Sequence, residues 1–191
     1  AGFTAILGEA ISLSSIALVW HRMLIALVLT FLFLLYYRYN LKIKLKDFFK
    51  FSLAGIIIAL HWITFFEAIE QSNISITLAM FSTGAFFASL IEPIFFKRKV
   101  RPVEIILGFI VICGVFIILQ ANISSIIGVL LGIISALLAS LFSVLNGKLV
   151  QDNNPFLISF YEFLSGVIFI LLYLTFSGNL IDLNIESFFS Y

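Results

Sequence analysis

In the stretch ALHWITFFEAIEQSNISITLAMFSTGAFFASLIEP, residues 59–93, two apolar segments are joined by a polar turn at 71–73, and each carries polar side chains at helical spacing. On the first segment His61, Thr64 and Glu67 are each rotated about 60° from the one before, at 100° per residue, and so form one polar arc. Trp62, Phe65 and Phe66 flank it with aromatic surface. On the second segment Ser75, Leu78, Ser82, Ala85, Ser89 and Glu92 recur at alternating steps of three and four, which places them on one narrow helix face. Polar and ionisable groups inside an apolar helix are costly unless they face protein or water, so this stretch is where a solute is expected to bind. The same residue types also let membrane helices approach closely and hydrogen-bond, and packing stays open as the other reading. Gly84, near the middle of the second segment, is expected to leave room for a ligand.

The rest of the chain is of the same character. Hydrophobic residues make up 62% and charged residues 11% of the 191, and mean hydropathy is +1.19. A water-soluble globule needs far more surface charge, so the composition implies an integral membrane protein. Apolar runs recur at lengths that cross about 30 Å of hydrocarbon as helices. The alternation of an outer-membrane barrel is absent. A single cysteine, Cys113, excludes a disulfide framework and a cysteine metal cluster.

Read in order, residues 1–9 form the end of a first helix whose start is missing, and the chain looks incomplete at both ends. Further helices are predicted at about 16–37, 48–70, 74–96, 102–119, 126–150 and 156–176, with a last loop at 177–191. Pro102 suits a first helical position, because its missing N–H costs no helical bond there. Of eleven lysines and arginines, five lie at 38–50, four at 97–101, one is Lys148 and one, Arg22, is inside a helix. The alternate links carry none, so the basic loops are cytoplasmic by the positive-inside rule.

Charges within the spans are few enough to name. Arg22 and Glu162 each lie about six residues inside opposite faces, about 9 Å deep at 1.5 Å per residue, which argues against a direct pair. Glu9 and Glu67 are the better partners for Arg22, with Glu162 in the equivalent inner position; snorkelling to the interface is the alternative for the arginine. A shift of 140 residues lays Ser15, Trp20, His21, Arg22, Leu24 and Ala26 on Pro155, Phe160, Tyr161, Glu162, Leu164 and Gly166. An odd number of spans separates the two copies, as in an inverted-topology repeat. Gly128, Gly132, Ala136, Ala139 and Ser143, then Asn146, form a small-residue stripe that favours close helix contact.

Other chemistries lack their residues. GxxxxGK[ST], HExxH, GxSxG and CxxC are all missing, and Asp47, Asp152 and Asp182 lie in or beside loops, so no catalytic, metal or cofactor site is expected and the chain is read as no enzyme. Asn73 and Asn122 each open a glycosylation sequon, but on links too short to read as more than chance. The basic loops satisfy topology without nucleic acid.

The chain resembles the drug/metabolite transporter superfamily in its EamA-type branch. The resemblance is carried by LVWHRMLIA at 18–26, GIIIALHWITFFEAIEQSNISITLAMFS at 55–82, EIILGFIVICGVFI at 104–117 and GVLLGIISALLASLFSVLNGKL at 128–149. It implies an all-α integral membrane protein of ten helices in a 5+5 inverted repeat, with about seven present here. Residues 1–120 would be the first repeat and 121–191 the truncated beginning of the second. It further implies a secondary active transporter, an exporter of small metabolites or amino acids, working by alternating access in a bacterial inner or plasma membrane. The solute would lie between His61, Trp62, Thr64, Phe65, Ser82 and Ser89, with Arg22, Glu67 and Glu162 as charge or gating residues and proton coupling through His61 and Glu67. The chain departs from the usual pattern in having Gly84-Ala85 where many members have a mid-helix proline, with Pro93 later, and basic residues where a glutamate often follows. The alternative is a non-transporting membrane receptor or assembly subunit whose polar stripes only pack helices.

Overall fold

The computed structural model describes residues 14–121 and 125–178, and the elements within them are all helical. These are α1 (Ser15–Tyr36), α2 (Leu45–Gln71), α3 (Ile74–Phe81), α4 (Gly84–Phe96), α5 (Pro102–Ala121), α6 (Ile126–Leu149) and α7 (Pro155–Ser177). The segment at 1–9 with Glu9, the Asn122 sequon and the loop beyond residue 178 lie outside the described residues. Taking 74–96 as one span, five described helices are long and apolar enough to cross a membrane, and Pro102–Ile118 is a shorter apolar helix beside them. This is a multi-pass, all-α membrane protein.

The helix ends follow from local chemistry. The Ser14 and Asn73 side chains accept hydrogen bonds from the amides of Ala17 and Ile76, and Asn154 accepts from Phe156 while Pro155 takes the first helical position. Lys97 and Gly178 close α4 and α7 in the left-handed conformation, with φ of 51° and 77°. α2 begins at Leu45, some residues earlier than the apolar run predicts. The Lys44 carbonyl accepts the Asp47 and Phe48 amides, and the Asp47 carboxylate sits in the first turn, where the helix dipole favours it.

Packing divides the described residues into two compact units, 60–148 and 14–59 with 149–178. In the second unit Met23 lies against Gly166, Phe31 stacks on Phe160 at 5.7 Å and Phe33 meets Phe156 at a tilt at 4.4 Å, so α1 and α7 run antiparallel. Ile158, Glu162, Gly166, Ile170 and Leu174 recur every fourth residue as the buried ridge of α7. Gly55 of α2 lies directly on the Glu162 backbone, an approach that only a residue without a side chain allows. Ser165 Oγ donates to Ser52 Oγ at 2.9 Å beside that contact.

In the other unit Ile76, Met80 and Val115 form a core that Ala79, Val111, Val129 and Ile133 complete. α6 enters it through its small residues. Gly128 faces Ser72 and Gly132 faces Met80, with room for no further carbon at either. The close-contact reading of the GVLLG start therefore holds. Ile25, Leu29, Leu32 and Leu35 on α1 and Ile106, Leu107, Ile110 and Ile117 on α5 are exposed, as side chains facing lipid tails are.

Candidate functional site

The span at 74–96 is not one helix. Thr83 N bonds to the Met80 carbonyl at 3.0 Å and Ala85 N to the Ser82 carbonyl, both three residues back, so the ladder tightens where α3 gives way to α4. Ser82 Oγ donates to the Ala79 carbonyl and Thr83 Oγ1 to the Met80 carbonyl, each at 2.6 Å. Two consecutive hydroxyls are thus bonded back to the preceding turn at a break that contains no proline. From across the unit, Ser140 Oγ on α6 donates to the Gly84 carbonyl at 2.8 Å and fixes the first residue of α4.

The break corrects two expectations. The face from Ser75 to Glu92 is not uniform: Ser75, Ser82 and Ala85 are exposed, while Ser89 is buried with its Oγ on the Phe86 carbonyl. Gly84 leaves no room for a ligand, because a Cβ there would meet Ser140 Oγ at 3.2 Å and the Ala136 carbonyl at 3.6 Å. The glycine serves the approach of α6.

Beside the break lies His61, 7% exposed. Its ring stacks on Phe81 at 5.5 Å, and Phe65 meets Phe81 edge-on at 5.5 Å and Phe66 at 5.6 Å. His61 Nδ1 is 2.9 Å from both the Ser135 carbonyl and Ser135 Oγ, and Ser135 Oγ is 3.1 Å from the His61 carbonyl. One assignment satisfies every group: Nδ1–H donates to the Ser135 carbonyl and the serine hydroxyl donates to the His61 carbonyl. The pair is a reciprocal clamp between α2 and α6. Thr64 Oγ1 turns to its own helix, donating to the carbonyls of Leu60 and His61, and Glu67 accepts a hydrogen bond from Gln71 at 3.0 Å. Trp62, Thr64 and Glu67 are partly exposed.

The structure therefore brings His61 and Phe65 together with Phe81, next to Ser82, and leaves Ser89 two turns along α4. Phe81, Ser135 and Ser140 were not among the expected residues. The two serines continue the α6 stripe, Ser135 three residues after Gly132 and Ser140 four after Ala136, which is the signal that could have found them. In the other unit Arg22 is partly exposed on α1, and Glu162 is buried at 3% exposure on the face of α7 that meets Gly55. On the turn after α4, Arg98 donates to Glu104 at 2.8 Å and to Glu92 at 3.2 Å, and these two hydrogen bonds push its guanidinium above the ordinary value. Lys148 at the end of α6 donates to the Phe95 carbonyl at 2.8 Å, satisfying the end of α4. No three His, Cys, Asp or Glu residues gather to hold a metal ion among the described residues.

Residues 1–120 match the EamA-like transporter family. The chain belongs to that family. It is also 26% identical over 186 residues to an uncharacterized transporter, YxxF, of Bacillus subtilis (strain 168), a match that covers 93% of this chain and 59% of the relative. The chain thus spans less than two thirds of that relative's length. No solved structure matches. A family of membrane transporters gives the broken span its context. Helices interrupted at membrane depth occur where the backbone is buried in protein or lines a cavity, and in transporters they commonly border the solute.

Proposed function

We propose that this chain is the larger part of a secondary active carrier that moves small metabolites or amino acids outward by alternating access. The observation that carries the reading is the α3–α4 break. α3 has only 8 residues, about 12 Å of rise, so the break falls near the middle of a hydrocarbon core about 30 Å thick. There Ser82 lies on the exposed side of its unit, its hydroxyl bonded back to Ala79 and still able to accept from water or solute, and that side would border a water-filled path. Ser82, Thr64 and Trp62 would face the solute. His61, Phe65 and Ser89 would form the wall behind them, with His61 acting through its clamp to Ser135.

The inverted repeat gains support from the ends of the helices. The 140-residue shift carries Ser15 onto Pro155, the first residues of α1 and α7, and these two helices pack antiparallel. Arg22 and Glu162 then hold equivalent places, each the eighth residue of its helix.

The test is solute counterflow by the full-length protein in proteoliposomes, against a panel of amino acids and small metabolites. Uptake of one solute class, reduced at least tenfold by the bulky Ser82→Trp in protein that stays folded, is the expected result. Folded protein that moves no solute in the panel would favour a packing-only receptor or assembly subunit. Counterflow of a neutral solute at a rate that stays constant between about pH 5.5 and 8 would remove proton coupling.

A further inference from the structure

The cytoplasmic loop between α1 and α2 builds a groove that the transport reading does not use. About 900 Å³ in volume and widely open, it is lined by Asn40, Leu41, Lys42, Ile43, Leu45, Phe48 and Tyr161. We propose that this groove is a specific site for the headgroup of an anionic phospholipid of the inner leaflet.

Three observations meet there. The first is charge. Arg38, Lys42, Lys44, Lys46 and Lys50 lie within thirteen residues whose sole acid is Asp47, and Asp47 is held by Lys50 at 3.0 Å. Arg38, Lys42, Lys44 and Lys46 are exposed and form no ion pair among the described residues, so a phosphodiester would meet positive charge that the protein leaves uncompensated. The second is order. Tyr161 reaches from α7 to donate its hydroxyl to the Leu41 carbonyl at 2.7 Å, and Asn40 Oδ1 accepts from the Lys42 amide at 3.0 Å. The Leu41 carbonyl and the Lys42 amide belong to one peptide, so both bonds hold the loop immediately before Lys42 and order that edge of the groove. The third is position. Tyr36, Tyr37 and Phe49, near the lining residues in sequence, are exposed, as aromatic side chains at a headgroup boundary are, and Leu32 and Leu35, one turn back along α1, are exposed and would meet the acyl chains. Phe48 and Leu45 give the glycerol region an apolar floor.

The general attraction of basic loops to an anionic membrane would scatter over every lysine. A groove predicts dependence on particular ones. The experiment is native mass spectrometry of the purified full-length protein in a neutral detergent, titrated with phosphatidylglycerol or phosphatidylcholine. The wild type is expected to retain one phosphatidylglycerol in preference to phosphatidylcholine, and added salt should weaken that binding. Lys42→Gln is expected to lower the affinity about fivefold. Tyr161→Phe, which keeps every charge but frees the loop, should also weaken it. Lys97→Gln with Lys99→Gln, which removes two charges from the other basic loop, should leave it unchanged. Excess inorganic phosphate should fail to displace the lipid, since it lacks the apolar half of the ligand. No preference for phosphatidylglycerol, equal loss in the Lys97/Lys99 variant, or full displacement by phosphate would each overturn the site.

Discussion

Gly55→Leu is expected to abolish recovery of folded protein, and Gly55→Ala to lower stability by about 2 kcal/mol or more, within or above the usual overpacking range. A Cβ at Gly55 would meet the carbonyl oxygen, Cα and C of Glu162, the last two at 2.8 and 2.9 Å. All three are backbone atoms of a helix, which cannot turn aside as a side chain does. The two helices must separate, and the loss spreads along α7. Intrinsic propensity works the other way, because Gly to Ala in a helix interior ordinarily gains about 1 kcal/mol. Gly114 supplies the control, since a Cβ there meets nothing within 4 Å. Gly114→Ala should be neutral or stabilising. Thermal unfolding of the purified variants in one detergent compares them, and Gly55→Leu melting with the wild type would refute the close approach.

The second large effect is at the α2–α6 clamp. His61→Ala should cost about 3 kcal/mol, since it removes a buried ring comparable to a phenylalanine together with one hydrogen bond. Ser135→Ala should cost about 1 kcal/mol. The double variant should fall short of the sum by about 0.6 kcal/mol or more, the scale of hydrogen bonds between membrane helices. Strict additivity would mean that the two side chains do not interact. Transport separates positioning from contact with solute. His61→Asn places an amide N–H where Nδ1 stands and should preserve counterflow, whereas His61→Gln places it near Nε2 and should not. If neither variant moves solute while both fold as well as the wild type, the imidazole itself is required and the positioning role fails.

Much of this was legible because lipid leaves few choices. A helix that crosses hydrocarbon must be apolar over most of its length, so the spans at 16–37, 126–150 and 156–176 read to within one or two residues of the observed helices. The polar exceptions, His61 and the serines, stand out as candidates for the same reason. What stayed hidden was the break at Ser82 and Thr83. Serine and threonine in an apolar helix bond back to it as readily as they bond across it, and only tertiary contacts such as Ser140 on Gly84 decide which turn gives way. The face from Ser75 to Glu92 therefore spans a turn at which the helix is interrupted. Gly84 was misread because a glycine marks space without saying whether solute or a neighbouring helix fills it.

On the proposed function, the exposed side of the α3–α4 break faces water. Cys113 is the one cysteine of these 191 residues and is exposed, so a background with Cys113→Ser and any further cysteine of the full-length protein also replaced by serine is the starting point. Into it Ser82→Cys and Ser89→Cys are placed separately in the full-length protein. A charged, water-soluble thiol reagent is then applied to membranes opened on both sides. Ser82→Cys is expected to react, and the buried Ser89→Cys to stay protected until the protein is unfolded. Protection of Ser82→Cys in folded, membrane-embedded protein would contradict it, because that hydroxyl would then face lipid or a packed helix rather than a path for solute.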